Sequence, residues 1–183
     1  MSNARFLLPL LLLVLPAASQ ARDWSFDSSR STLGFTGTYS GATFEGKFGK
    51  FDATIRYDEG DISTAKFEAT IDLASVDTAS SERNDSLKGE DFFDTRKFPQ
   101  AHFVTAAFAK TADGSVEAKG TLTIRDKTQP VTLKVKFAAT GDKATLDVDT
   151  VLRRTDFGLG LGKDWSDIGA DVPVHGHLAL TGK

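Results

Sequence analysis

The chain has 183 residues, no cysteine, 22 lysines and arginines against 25 acidic residues, and a net charge of −3. That length fits one domain, and the mild acidity speaks against nucleic acid as a partner. The missing thiols exclude cysteine nucleophiles, thiolate metal sites, disulfides and haem attachment through cysteine. Fourteen phenylalanines stand beside two tyrosines, two tryptophans and one methionine, the first residue. Phenylalanine carries no polar handle, so its rings make dry walls, either as a filled core or as the lining of a cavity.

The first segment reads as a leader. Arg5 precedes an apolar run from Phe6 to Leu15, Pro16 breaks the run, and Ser19-Gln20-Ala21 places small residues where a signal peptidase reads them. The run is shorter than the roughly 20 apolar residues needed to span a bilayer. A cleaved secretory signal peptide over residues 1–21 is therefore predicted, with the mature domain at 22–183. Losing Arg5 moves the net charge from −3 to −4.

From there the chain alternates with period two, the signature of strands with one apolar face. Leu33, Phe35, Gly37 and Tyr39 alternate with polar neighbours; Phe44, Gly46 and Phe48 follow; after Gly49 the series restarts at Phe51, Ala53, Ile55 and Tyr57. The phase slip at Gly49 predicts a bulge or sharp bend. Phe67, Ala69, Ile71 and Leu73 form the next inner face. The alternation then stops at a polar stretch, Thr78 to Leu87, predicted as a short helix ending at Gly89. Phe92, Phe93 and Phe98 come next, closed by Pro99, so this insert has the character of a lid.

A strand over Ala101 to Lys110 has no settled phase, because Phe103 and Phe108 have opposite parity. Asp113-Gly114 marks a hairpin. Val116 to Ile124, Val131 to Phe137, Ala144 to Val148 and Val172 to Leu180 alternate again. About eight half-polar strands with short turns exclude a doubly covered parallel sheet. They predict an all-β, eight-stranded antiparallel barrel with one short helical insert, a β-sandwich being the alternative. Small inner-face residues (Gly37, Gly46, Ala53, Ala69, Ala118, Gly120, Ala144, Gly176) are expected to leave room for a ligand among the rings.

Several segments carry a family resemblance. Asp77-Thr78 ahead of Arg83-Asn84-Asp85 and Leu87, then Asp91-Phe92-Phe93-Asp94, then Phe98-Pro99-Gln100-Ala101-His102-Phe103, resemble the YceI-like family of secreted bacterial proteins. Gly46-Lys47-Phe48 with Phe51, Gly120 to Ile124 with Pro130-Val131, and Arg154-Thr155-Asp156-Phe157-Gly158 agree in the same order. The resemblance implies a lipocalin-like barrel with an elongated apolar pocket, binding a polyisoprenoid, quinone-type or similar long-chain amphiphile in the periplasm. It also implies roles in isoprenoid-quinone metabolism, transport or storage. The glycine-rich stretch Gly158 to Trp165 departs from the family pattern and is expected to be a mobile loop at a barrel mouth.

The candidate lining residues are Phe35, Tyr39, Phe44, Phe48, Phe51, Phe67, Ile71, Leu122, Leu133, Val135, Leu146 and Val148, with Phe92, Phe93 and Phe98 closing one end. Arg83 and Arg154 are candidates for a phosphate or quinone head group, the alternative being an ion pair with Asp85, Asp91 or Asp156. No catalytic residue, resident cofactor or metal is predicted. His175 and His177 share a face, but it is the outward one, and no third ligand is evident nearby. Gly158 to Lys163 fails the spacing of a phosphate loop, and there is no nucleophile elbow. Asp91 and Asp94 are expected on the solvated side of a turn. The expected function is carriage of a long-chain lipid with transient membrane contact. An enzyme acting on bound isoprenoid and a filled structural barrel are the alternatives. Oligomeric state, a dimer included, stays open.

Overall fold

Ten strands and one helix are present in the computed structural model, which describes residues 22–183; the predicted leader, residues 1–21, lies outside the described residues. The strands are β1 (Arg22–Tyr39), β2 (Ala42–Phe48), β3 (Phe51–Tyr57), β4 (Lys66–Asp72), β5 (Val76–Asp77), β6 (Gln100–Lys110), β7 (Val116–Ile124), β8 (Lys127–Thr140), β9 (Lys143–Arg153) and β10 (Asp171–Gly182). The helix α1 (Ser81–Lys88) lies between β5 and β6. All pairings are antiparallel, and β1 joins both β3 and β10, so eight strands close a barrel. Closure covers the apolar face and removes most of the sheet edge, as the half-polar alternation requires.

β1 is longer than its alternating core suggests. Its first residues, Arg22 to Trp24, pair with β3, while Gly34 to Tyr39 pair with β2. β2 and β3 thus share one edge of β1 at different heights and meet at the Gly49-Lys50 corner, which is the bend predicted from the phase slip. β5 pairs with the far edge of β2 at Lys47 and Phe48.

The unsettled phase of β6 has a simple origin. Its register against β7 shifts between Thr105 and Ala107, and this bulge lets Phe103 and Phe108 face the same interior. Phe108 packs on Tyr57 at 5.8 Å between ring centroids, and Tyr57 on Phe137 at 4.5 Å. Trp24 meets Phe137 at 5.2 Å and donates its indole N–H to the Tyr57 carbonyl at 3.1 Å. This aromatic group, with buried Val135, Leu146, Ala144 and Leu180, fills one end of the barrel. The other end carries the β1–β2 hairpin, the α1 insert, the β7–β8 turn and the loop after β9.

The glycines expected to leave space mostly do the opposite. Gly46 lies opposite Phe35 and Gly37 opposite Phe44. A Cβ at either glycine would overlap the partner's ring, so each glycine is the seat for a phenylalanine laid across it. Gly120 seats Phe103, and Gly176 meets Val148, in the same way. At these glycines the room is taken by a neighbouring side chain laid against the wall.

Candidate functional site

At the open end a cavity of about 480 Å³ runs into the barrel. That lies within the range of small-molecule sites, about 300–1,000 Å³. Phe35, Phe44, Phe48, Phe51, Phe67 and Phe103 line it, with Ile71, Leu122, Leu133, Val148, Leu33 and Leu178. Ala53 and Ala69 contribute short side chains to the same wall. Its few polar groups gather mainly near α1, where Ser80, Glu82, Arg83 and Ser86 line the rim.

The insert is built to hold its aromatic residues over this opening. Ser80 caps α1 by accepting from the Arg83 N–H at 3.4 Å, and Gly89 ends the helix. Asn84 Oδ1 accepts from the Thr78 N–H at 2.8 Å and the Thr78 hydroxyl at 2.7 Å, fixing the helix to its lead-in. The helix buries no residue of its own, although half-buried Leu87 reaches the cavity. The following turn buries Phe92 and Phe93; Phe93 meets Phe48 at 6.0 Å and Phe92 meets Trp165 at 5.0 Å.

The loop after β9 forms the other half of the closure. Phe157, Leu159, Trp165 and Ile168 all line the cavity. Trp165 Nε1 donates to the Asp91 carboxylate at 3.1 Å, and the Gly160 N–H to the Asp91 carbonyl at 2.6 Å, tying the loop to the insert. Arg125, from the β7–β8 turn, donates to the carbonyls of Glu90 and Phe92 at 3.2 and 3.0 Å. Gly160 has φ +61°, and a Cβ there would lie 2.8 Å from the Phe92 ring and 2.9 Å from Arg154 Nη1, so only glycine fits.

Arg154 explains how this glycine-rich loop is held. Its Nε donates to the Gly169 carbonyl at 3.0 Å. Nη1 reaches the carbonyls of Leu159 at 2.7 Å and Gly160 at 2.6 Å, and Nη2 those of Trp165 at 3.2 Å and Ile168 at 2.8 Å. All five guanidinium N–H groups are used, and burial lowers its pKa from the ordinary arginine value. Arg154 lines the cavity, but its N–H groups are spent on these carbonyls, and among the described residues it forms no ion pair with Asp85, Asp91 or Asp156. Arg83 has no carboxylate partner among the described residues: its guanidinium carbon lies 4.1 Å from the centre of the Phe44 ring, and Nη1 donates to the Thr78 carbonyl at 3.4 Å.

Of the remaining candidates, Phe35, Tyr39, Phe44, Phe48, Phe51, Phe67, Ile71, Phe92, Phe93, Leu122, Leu133 and Val148 line the cavity as expected, Tyr39 at its exposed rim. Three do not. Val135 and Leu146 are buried one step deeper, in the filled end, where Leu146 lies opposite Phe137. Phe98 is half-buried away from the cavity, 5.7 Å beneath the Arg125 guanidinium. Asp91 is exposed as expected, but Asp94 is buried and pairs with Lys97 at 3.5 Å. His175 and His177 face outward, and His177 Nδ1 sits 2.5 Å from the Asp147 carboxylate.

The model of the YceI-like domain matches residues 24–180. A UPF0312 protein of Shewanella denitrificans is 31% identical over 175 residues, covering 90% of this chain and 92% of its own. Protein YceI of Escherichia coli is 32% identical over 139 residues, 72% of each chain. Among solved structures, BcnA of Burkholderia cenocepacia superposes with a TM-score of 0.80 at 32% identity, covering 85% of this chain and 99% of its own. A polyisoprenoid binding domain from Saccharophagus degradans shares the fold at a TM-score of 0.67 and 16% identity, covering 88% of this chain and 99% of its own.

Proposed function

The chain belongs to the YceI-like family, and from the shape of its cavity we propose that it is a periplasmic carrier that shields the tail of a polyisoprenoid or similar long-chain amphiphile. The carrying observation is the apolar cavity between an aromatic floor and an aromatic cover. Its walls offer a tail only dispersion and dryness. The polyisoprenoid-binding relative from Saccharophagus degradans supports the same reading, and the leader expected from the sequence of residues 1–21 supports export.

The energetics favour exchange over capture. One five-carbon isoprene unit gains about 4 kcal/mol on leaving water, at about 0.8 kcal/mol per carbon. Several units would exceed any real affinity before ordering costs are counted. A tail that moves from a bilayer into the barrel trades one apolar medium for another, with a net change near zero. Such a protein takes up lipid during transient membrane contact and releases it again. No reactive side chain is needed for that cycle.

Native mass spectrometry of the protein purified from its bacterial host tests the proposal. The expected result is a co-purifying long-chain species that denaturation releases unchanged. A protein of bare mass would overturn the carrier reading, and a bound species converted on incubation would replace it with an enzymatic one.

A further inference from the structure

The barrel wall is incomplete on one side. On the edge where β1 pairs β3 at Arg22 to Trp24 and β2 at Gly34 to Tyr39, the stretch from Ser25 to Leu33 pairs with neither. On its other edge the register against β10 shifts between Asp27 and Thr32. Outside this seam is a second cleft of about 380 Å³, bounded by β1 and the Gly49-Lys50 corner. Leu33, Phe48 and Phe51 border both this cleft and the main cavity, so one layer of side chains separates them.

The chemistry of the cleft differs from that of the cavity. Ser28 and Thr32 contribute hydroxyls, Ser31 spends its own on the Asp27 carbonyl and the Ala179 N–H, and Lys47 and Lys50 are the cations lining the cleft. Lys47 has a long contact with Asp77 at 3.8 Å, while Lys50 has no ion pair among the described residues. The nearby Asp27 is engaged by Arg30 at 3.3 Å and by Ser29. At the α1 rim, by contrast, Arg83 lies against Phe44 and shares the wall with the carboxylate of Glu82. The seam is thus the better place for negative charge.

We infer that the seam between β2 and β3 is a lateral portal, at which Lys47 and Lys50 hold the anionic head group of a lipid whose tail lies in the barrel. The inference rests on the carrier reading and adds the charge class of the ligand. The head has the chemistry of a phosphate or carboxylate, paired with two lysines and the hydroxyls of Ser28 and Thr32. Leu33, Phe48 and Phe51 part to let the chain pass between cleft and cavity.

Binding of two probes with the same C20 tail, geranylgeraniol and geranylgeranyl monophosphate, tests this on the delipidated protein. The phosphate is expected to bind about tenfold tighter, the scale of one charge-assisted hydrogen bond, and the advantage should shrink with added salt. The ratio should collapse towards one in the K47Q/K50Q variant, and amide resonances of Ser28, Thr32 and Gly49 should shift with the phosphate but not with the alcohol. Equal affinity of the two probes, a ratio that survives K47Q/K50Q, or a ratio abolished by R83Q would each overturn the portal and leave the carrier reading intact. Failure of both probes to bind would overturn the carrier reading, and the portal with it.

Discussion

Arg154 ends among five carbonyl oxygens and, among the described residues, forms no ion pair with a carboxylate. A buried cation is stable only when its donors are satisfied, and here backbone dipoles do what a counter-ion does elsewhere. The residue therefore works as a staple that gives shape to a loop with three glycines in five positions, Gly158 to Gly162. Replacing it by methionine strands the carbonyls, and a loss of about 3 kcal/mol is expected in urea unfolding. Amide exchange across residues 158–169 should accelerate, and Arg154→Lys, with three donors in place of five, should fall between. An unchanged unfolding midpoint in Arg154→Met would contradict the staple. Sequence alone marked Arg154 as notable but not its role, because partners from Leu159 to Gly169 follow no periodicity that ties them to one side chain.

Elements differ in how plainly they can be read. Alternation located most of the strands, and the Gly49 slip and the opposed parity of Phe103 and Phe108 both mark real irregularities. The first ten residues of β1 were missed, although Trp24 and Phe26 alternate there, because Asp27 to Ser31 interrupts the pattern. Turns carry their own chemistry. At the β6–β7 hairpin the Asp113 carboxylate accepts from the hydroxyls of Thr111 and Ser115 and from the Ser115 N–H, which holds its pKa down to about 2. The folded value lies below the ordinary 3.8, so this contribution is present above about pH 4 and is lost as pH falls towards 2. The Asp113 side-chain carboxyl resonance should titrate with a midpoint near 2; a midpoint near 3.8 would show that the turn bonds do not form.

At the scale of the whole molecule, the barrel is full at one end and hollow at the other, and this division was the part least visible in the sequence. Parity tells which face a side chain takes, not how deep along the axis it sits. Val135 and Leu146 share a face with Leu133 and Val148, yet a step of two residues, roughly 7 Å along a strand, carries them from the cavity into the floor. Phe98 was misplaced for another reason, since aromatic clustering in a loop has no parity at all. The same gap hid Phe157, Leu159, Trp165 and Ile168, which cover the cavity from an aperiodic loop.

The hollow end is the central claim, and Ala69→Phe probes it, because Ala69 lines the cavity and a ring there occupies the space proposed for the tail. Overpacking a solid core costs about 1–3 kcal/mol, whereas an empty cavity accepts the ring without loss of stability. Calorimetric titration with geranylgeraniol, beside thermal unfolding of both proteins, is the direct measurement. Binding by the wild type with a negative heat-capacity change, and an affinity at least about tenfold weaker in an equally stable Ala69→Phe, is the result expected. Equal affinity in the two proteins, or a variant destabilised as a packed core would be, would contradict it.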